Sequence, residues 1–174
     1  MIADPREKVP MAVESRSFRQ TVGQFATGVT VIATETEGSV RAMTANAFSS
    51  LSLDPPLVLF CVRKDAHMAQ VIAPATLFSI NILGQDQQQL STYFAGAWKE
   101  PAPPQFSFTR WEQVHRLEGC VAALGCAVET IYEGGDHWIV IGRVLALYRS
   151  ERASAPLVFC AGRYATLGEP AEVP

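Results

Sequence analysis

The stretch AMTANAFSSLSLDPPLVLFCV, residues 42–62, decides how the rest of the chain is read. Its first half is small and hydroxylated, carrying Thr44, Asn46, Ser49, Ser50 and Ser52. After Asp54-Pro55-Pro56 it becomes LVLFCV, a strand apolar enough to be buried on both faces. The two prolines hold the turn extended and remove two backbone donors. Two readings fit this pattern: a close-fitting cradle for a flat polar ligand, or an ordinary loop that feeds a core strand.

Upstream, Ser17 and Gln20 have capping-box spacing, and Phe18, Val22, Phe25 and Ala26 share one helical face, which predicts a helix over 16–27 ended by Gly28. VTVIATE then predicts a strand, Glu37-Gly38 a turn, and VRAMTAN the returning strand of a hairpin. Downstream, a short helix is expected at 66–72, a strand at TLFSINIL and a helix over 86–94. GAWKEPAPP, residues 96–104, is a Pro-rich loop whose Trp98 either packs locally or covers a ligand. QFSFTRWE gives a short strand, and 119–132 a long one bent at Gly125. Gly134-Gly135 turns the chain into HWIVIGRVLALYR, its antiparallel partner, and PLVFC is a last apolar piece.

Most connections are too short for right-handed crossovers, so the expected fold class is mainly β, a six-stranded antiparallel barrel with flanking helices. Such a barrel is filled by its own side chains, which places any ligand in an external groove shared with helices or a second subunit. With 174 residues the chain suits one domain over 16–166, between an N-terminal arm (1–15) and a C-terminal tail (167–174).

Charged residues make up only 18%, which points to surface covered by another subunit. A net charge of -3 without a basic stripe argues against nucleic acid. Cys61, Cys120, Cys126 and Cys160 lie in apolar segments with no CxxC spacing and read as reduced core thiols of a cytoplasmic protein. No secretory signal and no membrane-length apolar run is expected.

GxSxG, HExxH, GxGxxG and P-loop motifs are missing, and three dispersed histidines do not suggest a metal cluster. This scarcity suits a reaction whose chemistry resides in a cofactor. His137, after Gly134-Gly135-Asp136, stands at a rim, either as a hydrogen-bonding wall for a ligand or as a turn histidine bonded locally. His67, beside Asp65, either meets a phosphate or caps a helix in solvent, while His115 reads as surface. Arg163 and Tyr164 follow Gly162 and offer a guanidinium fork and a phenol. Asn81, inside FSINIL, needs a partner, which is either backbone or ligand.

Taken in order, FRQTVGQFATGVTVIAT, TANAFSSLSLDPPLVLFCV, FSINIL with QQQLSTYFAG, GGDHWIVIGRV and PLVFCAGRY make the chain resemble the short-chain flavin reductases, the reductase components of two-component flavin-dependent monooxygenases. The resemblance implies a Greek-key split β-barrel homodimer that reduces FMN or FAD with NADH or NADPH and passes reduced flavin to a partner oxygenase. It implies that Thr44, Asn46, Ala47, Ser50 and Ser52 surround the isoalloxazine and ribityl groups, and that Asp65, Ala66 and His67 approach the phosphate. The family often has a serine where Ala66 stands, so one phosphate hydroxyl is missing here. Asn81 would touch the flavin groove, and His137, Arg163 and Tyr164 would serve the nicotinamide side. No protein nucleophile is required, since hydride passes between cofactors. Rival readings are a flavin storage or redox-sensing protein and a ferric or cobalamin reductase acting through reduced flavin. A pyridoxine-phosphate oxidase of like architecture would need a denser basic patch.

Overall fold

The structure is a computed structural model, and it describes residues 13–151 and 154–168. Most of the expected arm (1–12) and the end of the expected tail (169–174) lie outside the described residues. In chain order the elements are α1 (Ser15–Val22), β1 (Thr27–Gly28), β2 (Thr30–Thr36), β3 (Ser39–Ala45), β4 (Phe48–Leu53), β5 (Pro56–Arg63), α2 (His67–Ile72) and β6 (Leu77–Ile82). A 3-10 turn (Gln85–Gln87) leads into α3 (Gln88–Phe94), followed by β7 (Phe108–Trp111), β8 (Val114–Leu117), β9 (Ala122–Gly134), β10 (His137–Arg149), β11 (Val158–Cys160) and β12 (Arg163–Ala165).

The hairpins form where the turn residues direct them. Glu37 (φ 51°) and Gly38 (φ 72°) both adopt the left-handed conformation that lets a two-residue turn follow the strand twist, and β2 pairs with β3 in full register. β9 and β10 pair across Gly135-Asp136, one residue later than expected. The bend expected at Gly125 is present, but the extra residue is Leu145 on β10, where the register steps from Val144–Cys126 to Ala146–Gly125.

Seven strands form one antiparallel sheet in the order β3-β2-β6-β9-β10-β5-β4. β1, β11 and β12 form a small second sheet, and β7 pairs with β8. The count therefore differs from the expected six. The added strand is β4, the hydroxylated half of the stretch at 42–62, whose polar side chains stay mostly exposed while its backbone pairs with β5 as an edge strand. No ladder closes the sheet, yet β3 comes within 8 Å of β5, Cα to Cα, so the sheet curls around its apolar face.

Inside the curl Ile32, Val58, Phe60, Phe78, Ile80 and Val140 are buried together. Phe60 and Phe78 meet edge to face at 5.4 Å, and each contributes about 1.5–3 kcal/mol on burial. Val31, Leu83, Leu90 and Leu117 form a second cluster that includes α3.

α1 is shorter than the expected 16–27 and is capped differently. Glu14 accepts the backbone N–H groups of Arg16 (2.9 Å) and Ser17 (2.7 Å), so the Ser17–Gln20 box does not form. These hydrogen bonds hold the Glu14 carboxyl below its ordinary value. The helix stops at Gly23 because the carbonyl there accepts from Ala161 N–H (2.7 Å), which removes the acceptor a further turn needs. Thr27–Gly28 instead becomes β1 against β11.

Candidate functional site

LVLFCV, expected to be buried on both faces, alternates instead: Val58, Phe60 and Val62 face the core, whereas Leu59 and Cys61 are half-buried on the opposite face. Register carries that second face across the sheet, with Leu59, Cys61 and Arg63 opposite Ile141, Ile139 and His137. Leu59 and Cys61 line a groove of about 730 Å³. Asn46, Ala47, Phe48 and Ser49 form one wall, the end of α1 through Phe25 another, and Phe159 and Gly162 a third. Two backbone hydrogen bonds fix the walls, Cys61 N–H to Ala47 O (3.0 Å) and Ala161 N–H to Gly23 O (2.7 Å). Asn46 donates to Thr27 Oγ1 at 3.3 Å and stays exposed at the rim.

His137 stands beyond Cys61 on the same sheet face. Its Nδ1 lies 2.7 Å from Asp136 Oδ1, and its side chain remains 39% exposed. The hydrogen bond from His137, with the imidazole's charge and that of Arg63, holds the Asp136 carboxyl below its ordinary value. The turn is tied down by Lys64 N–H donating to Asp136 O (3.0 Å). The cations nearby are already paired: Arg63 with Asp65, and Lys64 with Glu133 (2.8 Å). Asp65 is therefore half of an ion pair rather than an unengaged acceptor.

The other expected site residues divide by direction. Ala47 and Asn46 face the groove. Ser50 pairs with Val58, which places it on the other face of β4 from Ser49, and Ser52 pairs with Leu57 after a bulge. Thr44 points away, donating to Ser91 O on α3 (2.7 Å). Ala66 and His67 line a different groove, between β3, α2 and α3.

Asn81 touches no groove. It is fully buried, donates to Val31 O (3.0 Å) and Ser79 Oγ (3.0 Å), and accepts from Leu117 N–H (2.8 Å). The expected contact with flavin is corrected to a core amide that joins β2, β6 and β8. Arg163 is exposed on β12, but the Tyr164 hydroxyl is 2.8 Å from Ser91 Oγ and its ring packs on Phe159 at 5.3 Å. Tyr164 thus anchors the C-terminal hairpin to α3. Trp98 donates to Ala102 O within its own loop (2.8 Å), so it packs locally.

Sequence reasoning missed Leu59, Cys61, Phe25 and Phe159 as groove residues. A uniformly apolar run carries no signal of which alternate side chains face out, and Cys61 had been expected in the core. Cys120 and Cys126 are buried as expected, and burial pushes the Cys126 thiol up to about 12. Among the described residues no group of His, Cys, Asp or Glu is placed to hold a metal.

The site is thus an outward-facing apolar floor on an antiparallel sheet, with the Asn46 amide at its rim and the His137 imidazole farther along the same face. The chain belongs to the flavin reductase-like family, whose domain it matches over residues 22–168. It is 36% identical to the reductase subunit HsaB of a flavin-dependent monooxygenase of Rhodococcus jostii, over 94% of this chain and 83% of that one. It is 42% identical to an NADH-dependent flavin reductase of a Rhodococcus species, over 86% of this chain and 85% of that one. The solved structure of the flavin reductase PheA2 superposes with a TM-score of 0.85 at 39% identity, covering 90% of this chain and all of that one.

Proposed function

We propose that this chain is an NADH-dependent flavin reductase that supplies reduced FMN or FAD to a separate oxygenase. The observation that carries the reading is the shared sheet face: the groove floor at Leu59 and Cys61 continues directly to His137. The groove fits an isoalloxazine ring in volume and chemistry. It is about 730 Å³, has an apolar floor, and carries the Asn46 amide at its rim. A flavin held there would supply the electron-accepting ring, and a reduced nicotinamide would supply the hydride.

The chain's own work is positioning. Leu59, Cys61 and Phe48 exclude water beneath the ring, Asn46 and Ala47 meet its polar edge, and Ser49 stands on the same wall. His137, steadied by Asp136, orients the nicotinamide amide or ribose, and Arg163 lies at the outer margin. Ala66 and His67 lie toward the phosphate, and Ser50 and Ser52 remain on the strand that edges the groove. Asn81, Thr44 and Tyr164 support this arrangement from behind. Positioning the two reactants is the catalytic contribution that would be asked of the protein.

The outer face supports a homodimer. Ile139 and Ile141 are half-buried on this face, and Tyr132 (56% exposed) lies beside Ile139 on β9. A second copy on this face would complete the groove's outer wall. We read the curled sheet as a Greek-key split barrel within one domain at 16–166. The free thiols suit a reducing cytoplasm, and no helix among the described residues is long and apolar enough to cross a membrane.

The test is an anaerobic titration with FMN and FAD, followed by NADH or NADPH, reading the loss of flavin absorbance. Cys61→Trp, which fills the groove, should weaken flavin binding by at least about tenfold, the cost of about 1.4 kcal/mol. Undiminished affinity in that variant, or no reduction by either nicotinamide in the wild type, would overturn the proposal.

A further inference from the structure

One charged side chain reaches the ring groove. Among the described residues that line it, Arg19 alone carries a charge; the rest are apolar, amide, hydroxyl or thiol side chains and glycine. Arg19 sits in the last turn of α1, where it shares a helical face with Val22 and Gly23. The Ala161 N–H to Gly23 O hydrogen bond (2.7 Å) holds that end of the helix against the third wall, so a fixed element carries the guanidinium to the groove. Among the described residues Arg19 forms no ion pair. The carboxylate of its own helix, Glu14, is engaged at the other end by the N–H groups of Arg16 and Ser17. Arg63 and Lys64 differ, since both are paired and neither lines the groove. The helix dipole favours a cation in a last turn, but it does so equally for a side chain turned to solvent and does not account for a place in the groove.

Hydride transfer gives this charge a task. It breaks one C–H bond of the reduced nicotinamide and forms one N–H bond on the flavin ring. Two electrons move with that hydrogen, so the nicotinamide ring becomes cationic and the flavin ring gains one negative charge. The groove's apolar floor offers no counter-charge, and a fixed cation acts more strongly once a ligand displaces water from around it. The oxidised ring is neutral and gains far less from the same cation.

We propose that Arg19 is the counter-charge for the reduced flavin ring, holding that ring more tightly than the oxidised one and favouring hydride arrival as the charge develops. This rests on the flavin reductase reading. A cofactor phosphate is the other anion a free guanidinium could meet, and riboflavin, which has the ring and no phosphate, separates the two.

The test compares the full chain with Arg19→Gln, Arg19→Lys and Arg16→Ala, each checked by thermal melting. Arg16 is exposed on the same helix but does not line the groove, so its variant removes a charge without touching the site. The readouts are anaerobic Kd values for riboflavin and FMN, each oxidised and reduced. Arg19→Gln should weaken reduced riboflavin by about tenfold and leave oxidised riboflavin within about twofold. Linkage then lowers the midpoint potential of the bound two-electron couple by about 30 mV. Arg19→Lys should restore most of both, and Arg16→Ala should match the wild type. Should Arg19→Gln misfold, the wild type still decides: about 1 M KCl, which shortens the screening length to about 3 Å, should weaken reduced riboflavin and spare the oxidised form. Equal losses for both oxidation states, a loss confined to FMN, an equal effect from Arg16→Ala, or unchanged affinities throughout would overturn the inference. A wild type that neither binds flavin nor reduces it would instead bring down the underlying reading.

Discussion

His137 and Asn81 show how one residue type can serve ligand or framework depending on where the backbone places it. His137 lies at the end of the groove face, held by one hydrogen bond and still 39% exposed, so its outer edge can meet a ligand. His137→Ala should raise the KM for NADH roughly three- to tenfold, the loss of one net hydrogen bond, while the flavin Kd stays nearly constant. Stopped-flow reduction indistinguishable from wild type would remove that role. Asn81 is the converse case, since its amide bonds Val31, Ser79 and Leu117 with none of its surface exposed. Asn81→Leu strands the Leu117 N–H and should cost about 1–3 kcal/mol. Thermal unfolding should show the loss with flavin affinity unchanged; a weakened flavin Kd in a folded variant would return Asn81 to the site.

β10 joins core and site because its two faces do different work. Up to the bulge at Leu145 its even-numbered residues face the core, where Gly142 admits the ring of Phe78; a Cβ there would lie 2.4 Å from Phe78 Cζ and 3.2 Å from Cys126 Cβ. Phe78 is fully enclosed and cannot swing aside. Gly142→Ala should therefore destabilise by about 1–3 kcal/mol, lowering the melting temperature by about 2–4 °C for each kcal/mol. An unchanged melting temperature would show that the sheet yields more readily than its packing indicates. The opposite face of the strand carries His137 and Ile139 beside Arg63 and Cys61. The GGDH…GRV pattern in the sequence is the trace of both duties, with His137 on one face and Gly142 on the other.

For the whole molecule, the homodimer proposed above would cover Ile139, Ile141 and Tyr132. Under that proposal the wild type should sediment as a dimer and Tyr132→Glu as a monomer with weaker flavin binding, since Tyr132 pairs with Ile139 on the groove's face of the sheet. A wild-type chain that sediments as a monomer with full flavin affinity would reject this arrangement. Much of the architecture was legible in the chain. The Glu37-Gly38 hairpin, the strand at TLFSINIL, the helices near 66–72 and 86–94 and the long β9–β10 pair all appear close to where local pattern placed them. The seventh strand was hidden because serine-rich β4 pairs through its backbone, which composition does not report. The early stop of α1 was hidden too, since the hydrogen bond that ends it comes from Ala161, far along the chain.

Sequence alone determined what depends on near neighbours: turn residues fixed the hairpins, period-two patterns fixed the antiparallel strands, and the ordered motifs marked the family. Only the tertiary structure decided the outcome of each two-sided choice. It turned Cys61 outward and Asn81 inward, directed Thr44 and Tyr164 to Ser91, and left Asn46, Ala47 and His137 on the open side. The reason is geometric. A strand's side chains alternate whatever their chemistry, and which set meets the core is fixed by register with partners tens of residues away.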